Sequence, residues 1–418
     1  MYLTTKTAHF IKLDKHNVQR TLNIFINISL FRLFLIGFLI VLNDVKPQTI
    51  VTDYLVRGDS LYLEPMRPII ASDSNNNFLV IYTLYDQRPH APLGFLWGQQ
   101  YNANGIIMNE RFYIGENIGS SAIDMNESGV FIVCWSRSNE VLFWINNSNY
   151  KVIDSNNVVG FGYSPDVIID ETGNFIITWV NLDTIYCQRY TSDGEAVGNK
   201  IKVSDNPNGT RSSFPRIGAD NTGNFGIVWK NSKDDTIHTY YQRYNSNGEP
   251  MGSNIRIYGN NSEMHQINPL LVVNKTGDFV IVWMEELNGN EDIYYQLFNS
   301  YGALVGNILK VNDDSNNSHQ EYPAIDIGES GEVIITWQDD RNGNWDIYAQ
   351  RFNSSGEAIG NNFRINHMEE SDQKLPDVTL KNGRIYSTWQ VYDGTQNSGV
   401  WANVLDFDNP VGVDSPEI

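Results

Sequence analysis

Apolar residues along this chain come in short runs of five or six, not at helical spacing. The run FIITW ends at Trp179, FGIVW at Trp229, FVIVW at Trp283 and VIITW at Trp337. Nearly every position in each run is apolar, which predicts a strand covered on both faces. Each run follows a Pro-led segment (PDVII, PRIGA, PLLVV, PAIDI) and a tight turn of the form Asp/Asn-x-x-Gly, such as Asp170 to Gly173. The Asx side chain can bond the turn backbone, and Gly supplies the positive φ that a tight hairpin needs. A third strand of the IYxQRF type comes next, then a second Gly turn, then a polar alternating segment (KIKV, NIRI, FRIN) suited to an outer edge.

The shared frame is Pro, eight residues to Gly, then six to Trp. Pro165–Gly173–Trp179, Pro215–Gly223–Trp229, Pro269–Gly277–Trp283 and Pro323–Gly331–Trp337 fit it without a gap. Pro376–Gly383–Trp389, Ser121–Gly129–Trp135 and Pro68–Asn76–Tyr82 are degenerate copies. That makes seven units of four strands, with their Trp or Tyr anchors 44 to 54 residues apart. One unit cannot bury its own apolar strand, but stacked units can, and a closed ring needs no caps. The expected fold is therefore all-β, a seven-bladed β-propeller of four-stranded antiparallel blades over residues 49–407. An open solenoid is the alternative. Closure is expected because the seventh unit lacks a fourth strand while Thr49–Arg57 (TIVTDYLVR) alternates like one and has no other role.

Residues 1–48 read as an export signal. The polar start carries Lys6, Lys12, Lys15 and Arg20, and the apolar core is densest at Leu33–Leu42. That core is short for a membrane span, which needs ~20 residues. An uncleaved anchor over 24–42 is the competing reading. With cleavage, no membrane span remains, and the product is secreted or held at the cell surface. Residues 408–418 are expected to be a linker or tail.

Lys and Arg number 29 against 49 Asp and Glu, a net charge of −20, which argues against nucleic acid as a partner. Only two Cys occur, Cys134 and Cys187, so a disulfide framework is excluded, and both are expected to be buried thiols. The recurring Trp series is expected in the core between blades. The recurring Asp170, Asp220 and Asn274 are expected to shape turns. The Gln-Arg pairs at 188–189, 242–243 and 350–351 are expected to tie blade to blade. No HExxH, P-loop, dinucleotide fingerprint or G-x-S-x-G occurs.

The frame DETGNFIITW … IYCQRY … GEAVG resembles the secreted seven-bladed propellers of gliding and environmental bacteria, over roughly 49–407. Such proteins often carry a C-terminal domain for type IX sorting, and this sequence stops at Ile418 after a linker-like segment. The architecture is distantly similar to that of sialidases. Their S-x-D-x-G-x-T-W box is absent, however, because Asp170 and Trp179 stand nine residues apart.

Loops after the second strand vary between blades, and variable loops on a rigid scaffold usually carry binding. Candidate ligand-binding residues are therefore Tyr85, Trp97, Glu285, Glu286, Asp292, Asp340, Arg341, Trp345 and Asp346, with Trp97 expected to be exposed in the longest insertion. Asp340, Asn342, Asn344 and Asp346 alternate like a Ca²⁺ loop, but Trp345 stands where such a loop needs Gly, so an ordinary polar turn is preferred and no cofactor is expected. The function expected is non-catalytic binding or scaffolding by a monomer, with polysaccharide or a surface protein as partner. The alternative is a carbohydrate-active enzyme, hydrolase or lyase, using carboxylates around the central channel.

Overall fold

The computed structural model describes residues 51–410 except 59–62, 87–93, 147–151, 207–208, 235, 258–264, 288, 315–317, 368–370 and 393–398. The expected export signal at 1–48 and most of the expected tail lie outside the described residues.

The chain forms seven four-stranded antiparallel sheets, the blades of a propeller. Blade 1 holds Leu63–Ser72, Phe78–Asp86, Phe95–Tyr101 and Phe112–Glu116; blade 2 holds Ile118–Met125, Phe131–Arg137, Glu140–Asn146 and Val152–Phe161. Blade 3 holds Tyr163–Ile169, Phe175–Asn181, Thr184–Tyr190 and Ala196–Lys202; blade 4 holds Arg211–Ala219, Phe225–Lys233, Thr236–Tyr244 and Ile255–Arg256. Blade 5 holds His265–Val273, Phe279–Leu287, Asn290–Phe298 and Leu304–Lys310; blade 6 holds Gln320–Ile327, Val333–Asp339, Asp346–Phe352 and Ala358–Arg364. Blade 7 takes Asp372–Lys381, Arg384–Tyr392 and Gly399–Asp406 from the end of the chain, and its fourth strand is Val51–Gly58 from the start. Val51 pairs with Val404 and Gly58 with Gly399, so the ring closes with strands from both ends of the described chain. Among the described residues no helix is long and apolar enough to cross a membrane.

The core lies between blades. Trp135, Trp179, Trp229, Trp283, Trp337 and Trp389 are all fully buried. Replacing one by Ala typically costs about 3–5 kcal/mol. Each sits in an apolar cluster shared with the neighbouring blade; Trp179, for example, packs with Val141 and Phe143 of blade 2. The chain must pass tightly here. A Cβ on Gly162 would lie 2.2 Å from the Val180 carbonyl oxygen and 2.5 Å from the Trp179 ring, so only Gly fits.

The turns form as their sequences predict. Asp170 Oδ1 accepts from the backbone N–H of Thr172 at 2.9 Å and of Asn174 at 2.9 Å, while Gly173 takes φ +87°. Three arginines of the Gln-Arg pairs reach the next blade: Arg189 donates to the Asn247 carbonyl, Arg243 to that of Ser300 and Arg351 to that of Phe407. Cys134 and Cys187 are buried and unpaired. The outer strand of blade 4 is reduced to two residues. Pro250, which lacks an N–H, stands where the corresponding strand of blade 3 begins.

Candidate functional site

Strand register decides which loops share a face. Tyr163 pairs with Val180, His265 with Glu286, Gln320 with Asp339 and Asp372 with Tyr392. The start of every inner strand therefore lies beside the hairpin joining strands two and three. The Asx turns and the second Gly turns lie at the opposite end. The first end is the loop side.

In six of the seven blades the inner strand carries a bulge just before its frame Pro, and the residue there is left-handed although it is not Gly. Arg67 (φ 52°), Ser164 (49°), Phe214 (52°), Asn268 (52°), Tyr322 (50°) and Leu375 (53°) occupy six equivalent places. Non-Gly residues in this region store strain, and such strain tends to gather at functional sites. The backbone repeats in these six blades while the side chain is different in each of them.

Two to four residues farther along, the inner strands line the central channel. Here Asp124, Asp166, Asp326 and Asp377 each accept a backbone N–H from the next blade: Ile169 at 2.9 Å, Ile217 at 2.9 Å, Leu380 at 2.6 Å and Ile70 at 2.8 Å. Inner strands of adjacent blades share no ladder, so these carboxylates act as staples between them. Burial pushes Asp124 up to about 7 against the opposing pull of the Ile169 and Met125 N–H groups, and the Asp326 and Asp166 charges add to the rise. Burial likewise pushes Asp377 up to about 7 and raises Asp166 and Asp326, with the Arg216 guanidinium opposing the rise at Asp166.

On the loop side, blades 5 to 7 bring together several titratable groups. His319 Nδ1 lies 2.5 Å from Glu291 Oε2, and its backbone N–H donates to Asp340 Oδ1 at 2.7 Å. Gln338 Nε2 donates to Glu321 Oε2 at 3.0 Å. The Glu291 hydrogen bond raises His319 despite partial burial. Burial, then the Glu291 charge, raises Glu321, while His319, Gln338 and Lys374 pull it down. Exposed Phe161, Tyr163, Leu182 and Phe214 on blades 2 to 4 and Tyr322 on blade 6 add aromatic and apolar groups to the same side.

The candidate residues read from sequence divide between rim and interior. Asp340, Trp345 and Glu286 are half-buried on the loop side. Lys374 Nζ stands 5.6 Å from the Trp345 ring. Tyr85 is half-buried at the end of its strand, and the middle of the insertion beyond it, 87–93, lies outside the described residues. Asp292 is tied to Asn312 Nδ2 and Lys310 Nζ, each at 2.8 Å.

Four candidates stand elsewhere than on open loops, and Trp97 is less exposed than expected. Glu285 is buried because the second strand of blade 5 runs on to Leu287, and its carboxylate accepts the Trp283 indole N–H at 2.9 Å. Asp346 is fully buried, accepting from Asn366 at 2.9 Å and Asn342 at 2.9 Å. Arg341 is drawn inward by buried Asp339, which also accepts the Trp337 indole N–H. Trp97 lies on the third strand, paired with Tyr82, and fills the place that Tyr186 takes beside Trp179. It is half-buried, with the Arg111 guanidinium 4.8 Å from its ring. Asp340 and Asp346 of the alternating segment thus face different partners. Among the described residues no group of three or more His, Cys, Asp or Glu is arranged to hold a metal.

Sequence reasoning missed Glu291, His319, Glu321 and the bulge positions. The residue before each frame Pro was visible, but it repeats in place and not in type, so a search for recurring residues passes over it.

No protein-family model matches the chain, and no curated protein matches it in sequence. Solved structures match its fold. A Penicillium chrysogenum alpha-L-arabinanase complexed with arabinobiose is 13% identical with a TM-score of 0.50, covering 87% of this chain and 99% of that one. An alpha-l-arabinofuranosidase from Fusarium graminearum in complex with an iminosugar inhibitor is 10% identical with a TM-score of 0.51 over 87% and 99%. A polysaccharide lyase, Uly1, is 9% identical with a TM-score of 0.52 over 87% and 95%. At these identities the likeness is one of fold.

Proposed function

We propose that this protein is an exported carbohydrate-binding propeller whose ligand sits on the loop side, over the mouth of the channel. One observation carries the reading. The loop side is where a repeating backbone presents chemistry that changes from blade to blade: exposed Phe161, Tyr163, Leu182 and Phe214 on blades 2 to 4, and Tyr322 with the His319–Glu291 and Gln338–Glu321 hydrogen bonds on blades 5 and 6. A few polar groups placed among aromatic ones on a rigid scaffold are the usual form of a small-ligand site. Similarity of fold to glycan-processing propellers, one of them solved with arabinobiose, agrees with it. The channel aspartates are committed to backbone N–H groups of neighbouring blades, which favours a structural role for them over catalysis.

A glycan-array screen of residues 49–407 tests the reading. Binding that Glu321→Gln or His319→Ala weakens supports it, and absence of binding to any glycan defeats it.

A second reading is hydrolysis, with Glu321 as proton donor. It is favoured by the raised affinity of Glu321 for its proton beside the Glu291–His319 pair, because a glycosidase needs one carboxyl protonated and one ionised. Turnover of a chromogenic glycoside, abolished in Glu321→Gln, would establish it over simple binding.

A further inference from the structure

Resting on the carbohydrate reading, we propose that Phe214, Asn268 and Tyr322 form a subsite for an uncharged sugar ring at the loop-side mouth of the channel. The three occupy the same bulge position in consecutive blades 4, 5 and 6, all at φ 50–52°. Phe214 is 44% exposed and Tyr322 46%, large fractions for aromatic residues on the inner strands of a ring. The arc reads aromatic, amide, aromatic. Sugars have an apolar C–H face that stacks on an aromatic ring and hydroxyls that suit an amide, so this order matches their chemistry.

The arc is held in position. The Lys230 ammonium lies 5.4 Å from the Phe214 ring. Met284 Sδ accepts from Asn268 Nδ2 at 3.4 Å and from the Tyr322 backbone N–H at 3.3 Å, linking blades 5 and 6. A thioether is a weak acceptor. The Asn268 amide can therefore exchange that bond for one to a ligand hydroxyl at small cost. The left-handed backbone fixes each Cα while leaving the side-chain type open, so these positions can set specificity without disturbing the blade.

The three side chains themselves set the class of sugar. Charges of both signs stand beside the arc, Glu321 next to Tyr322 and the Lys230 ammonium near the Phe214 ring. Two aromatic rings and an amide carry no charge, so what they offer is stacking and hydrogen bonding that suit a neutral sugar.

The test measures binding of neutral oligosaccharides, and of uronate-containing and sulfated polymers, by array and calorimetry. The variants are Phe214→Asn and Tyr322→Asn, since Asn tolerates the left-handed backbone, with Tyr322→Phe as the conservative change. Tyr301→Ala, in a turn at the opposite end, is the control. Expected are binding of a neutral glycan, at least a tenfold loss in each Asn variant, and near-normal affinity in Tyr322→Phe and Tyr301→Ala. Neutral-glycan binding insensitive to both Asn variants would overturn the subsite while leaving the carbohydrate reading intact. Preference for anionic polymers would overturn the class of sugar. Binding of neither would overturn both.

Discussion

His319 Nδ1 lies 2.5 Å from Glu291 Oε2, joining the hairpin of blade 5 to the chain entering blade 6. The carboxylate favours the imidazolium, so His319 titrates above the usual histidine range. A histidine raised in the folded state adds stability fully below its unfolded pKa and loses it as pH rises through the folded one. An NMR titration should place His319 above ~6.5, and Glu291→Gln should bring it down. The pair is 40% and 18% exposed, so the effect on stability should be small and salt-sensitive.

The channel carboxylates give the opposite kind of pH dependence from a salt-bridged acid. Asp377 is pushed up to about 7 by burial, so the folded state holds its proton more tightly than the unfolded state does. The ring should lose stability as pH rises from the unfolded value of ~3.9 to the folded one. Asp377→Asn keeps an oxygen to accept the Ile70 N–H. Its melting temperature should exceed that of the parent by a few degrees at pH 8, by less at pH 5, and match it only below pH ~4, as calorimetry would show.

Arg341 holds a buried partner. Its guanidinium meets Asp339, which is fully buried and also accepts the Trp337 indole N–H. Removing one member of a buried pair leaves the other charge uncompensated, at about 3–5 kcal/mol. Arg341→Ala should show a loss of this size in denaturant unfolding, although the residue was a binding candidate on sequence grounds.

Much of this architecture was open to sequence reading, for a physical reason. The Pro-Gly-Trp frame is demanded by each hairpin and by the core between blades, so it recurs and can be counted. The incomplete seventh unit and the unassigned TIVTDYLVR segment complement each other, and the structure pairs Val51 with Val404. The site was less legible. Glu285 and Asp346 sit in polar stretches that read as loops, but strands include them and a buried indole and amides draw the carboxylates inward, while Arg341 stays in its turn and reaches buried Asp339. Glu291 and His319 meet only because two consecutive blades stand side by side. Phe214, Asn268 and Tyr322 share a backbone place that no shared residue type announces.

Ring closure has its own test. Deleting residues 49–58 removes the strand paired with Gly399–Asp406 and leaves that strand as an open edge. The shortened chain should unfold at lower denaturant or aggregate, and a synthetic peptide of sequence TIVTDYLVR should partly restore it. Unchanged stability, followed by circular dichroism, would argue against closure by this segment.

Hydrogen exchange in the presence of the best-binding oligosaccharide bears most directly on where the ligand sits. Slower exchange is predicted in peptides covering 319–322 and 338–346 on the loop side, with 170–174 and 299–302 at the opposite end unchanged. Protection confined to those turns, with the loop-side peptides unaffected, would contradict the account.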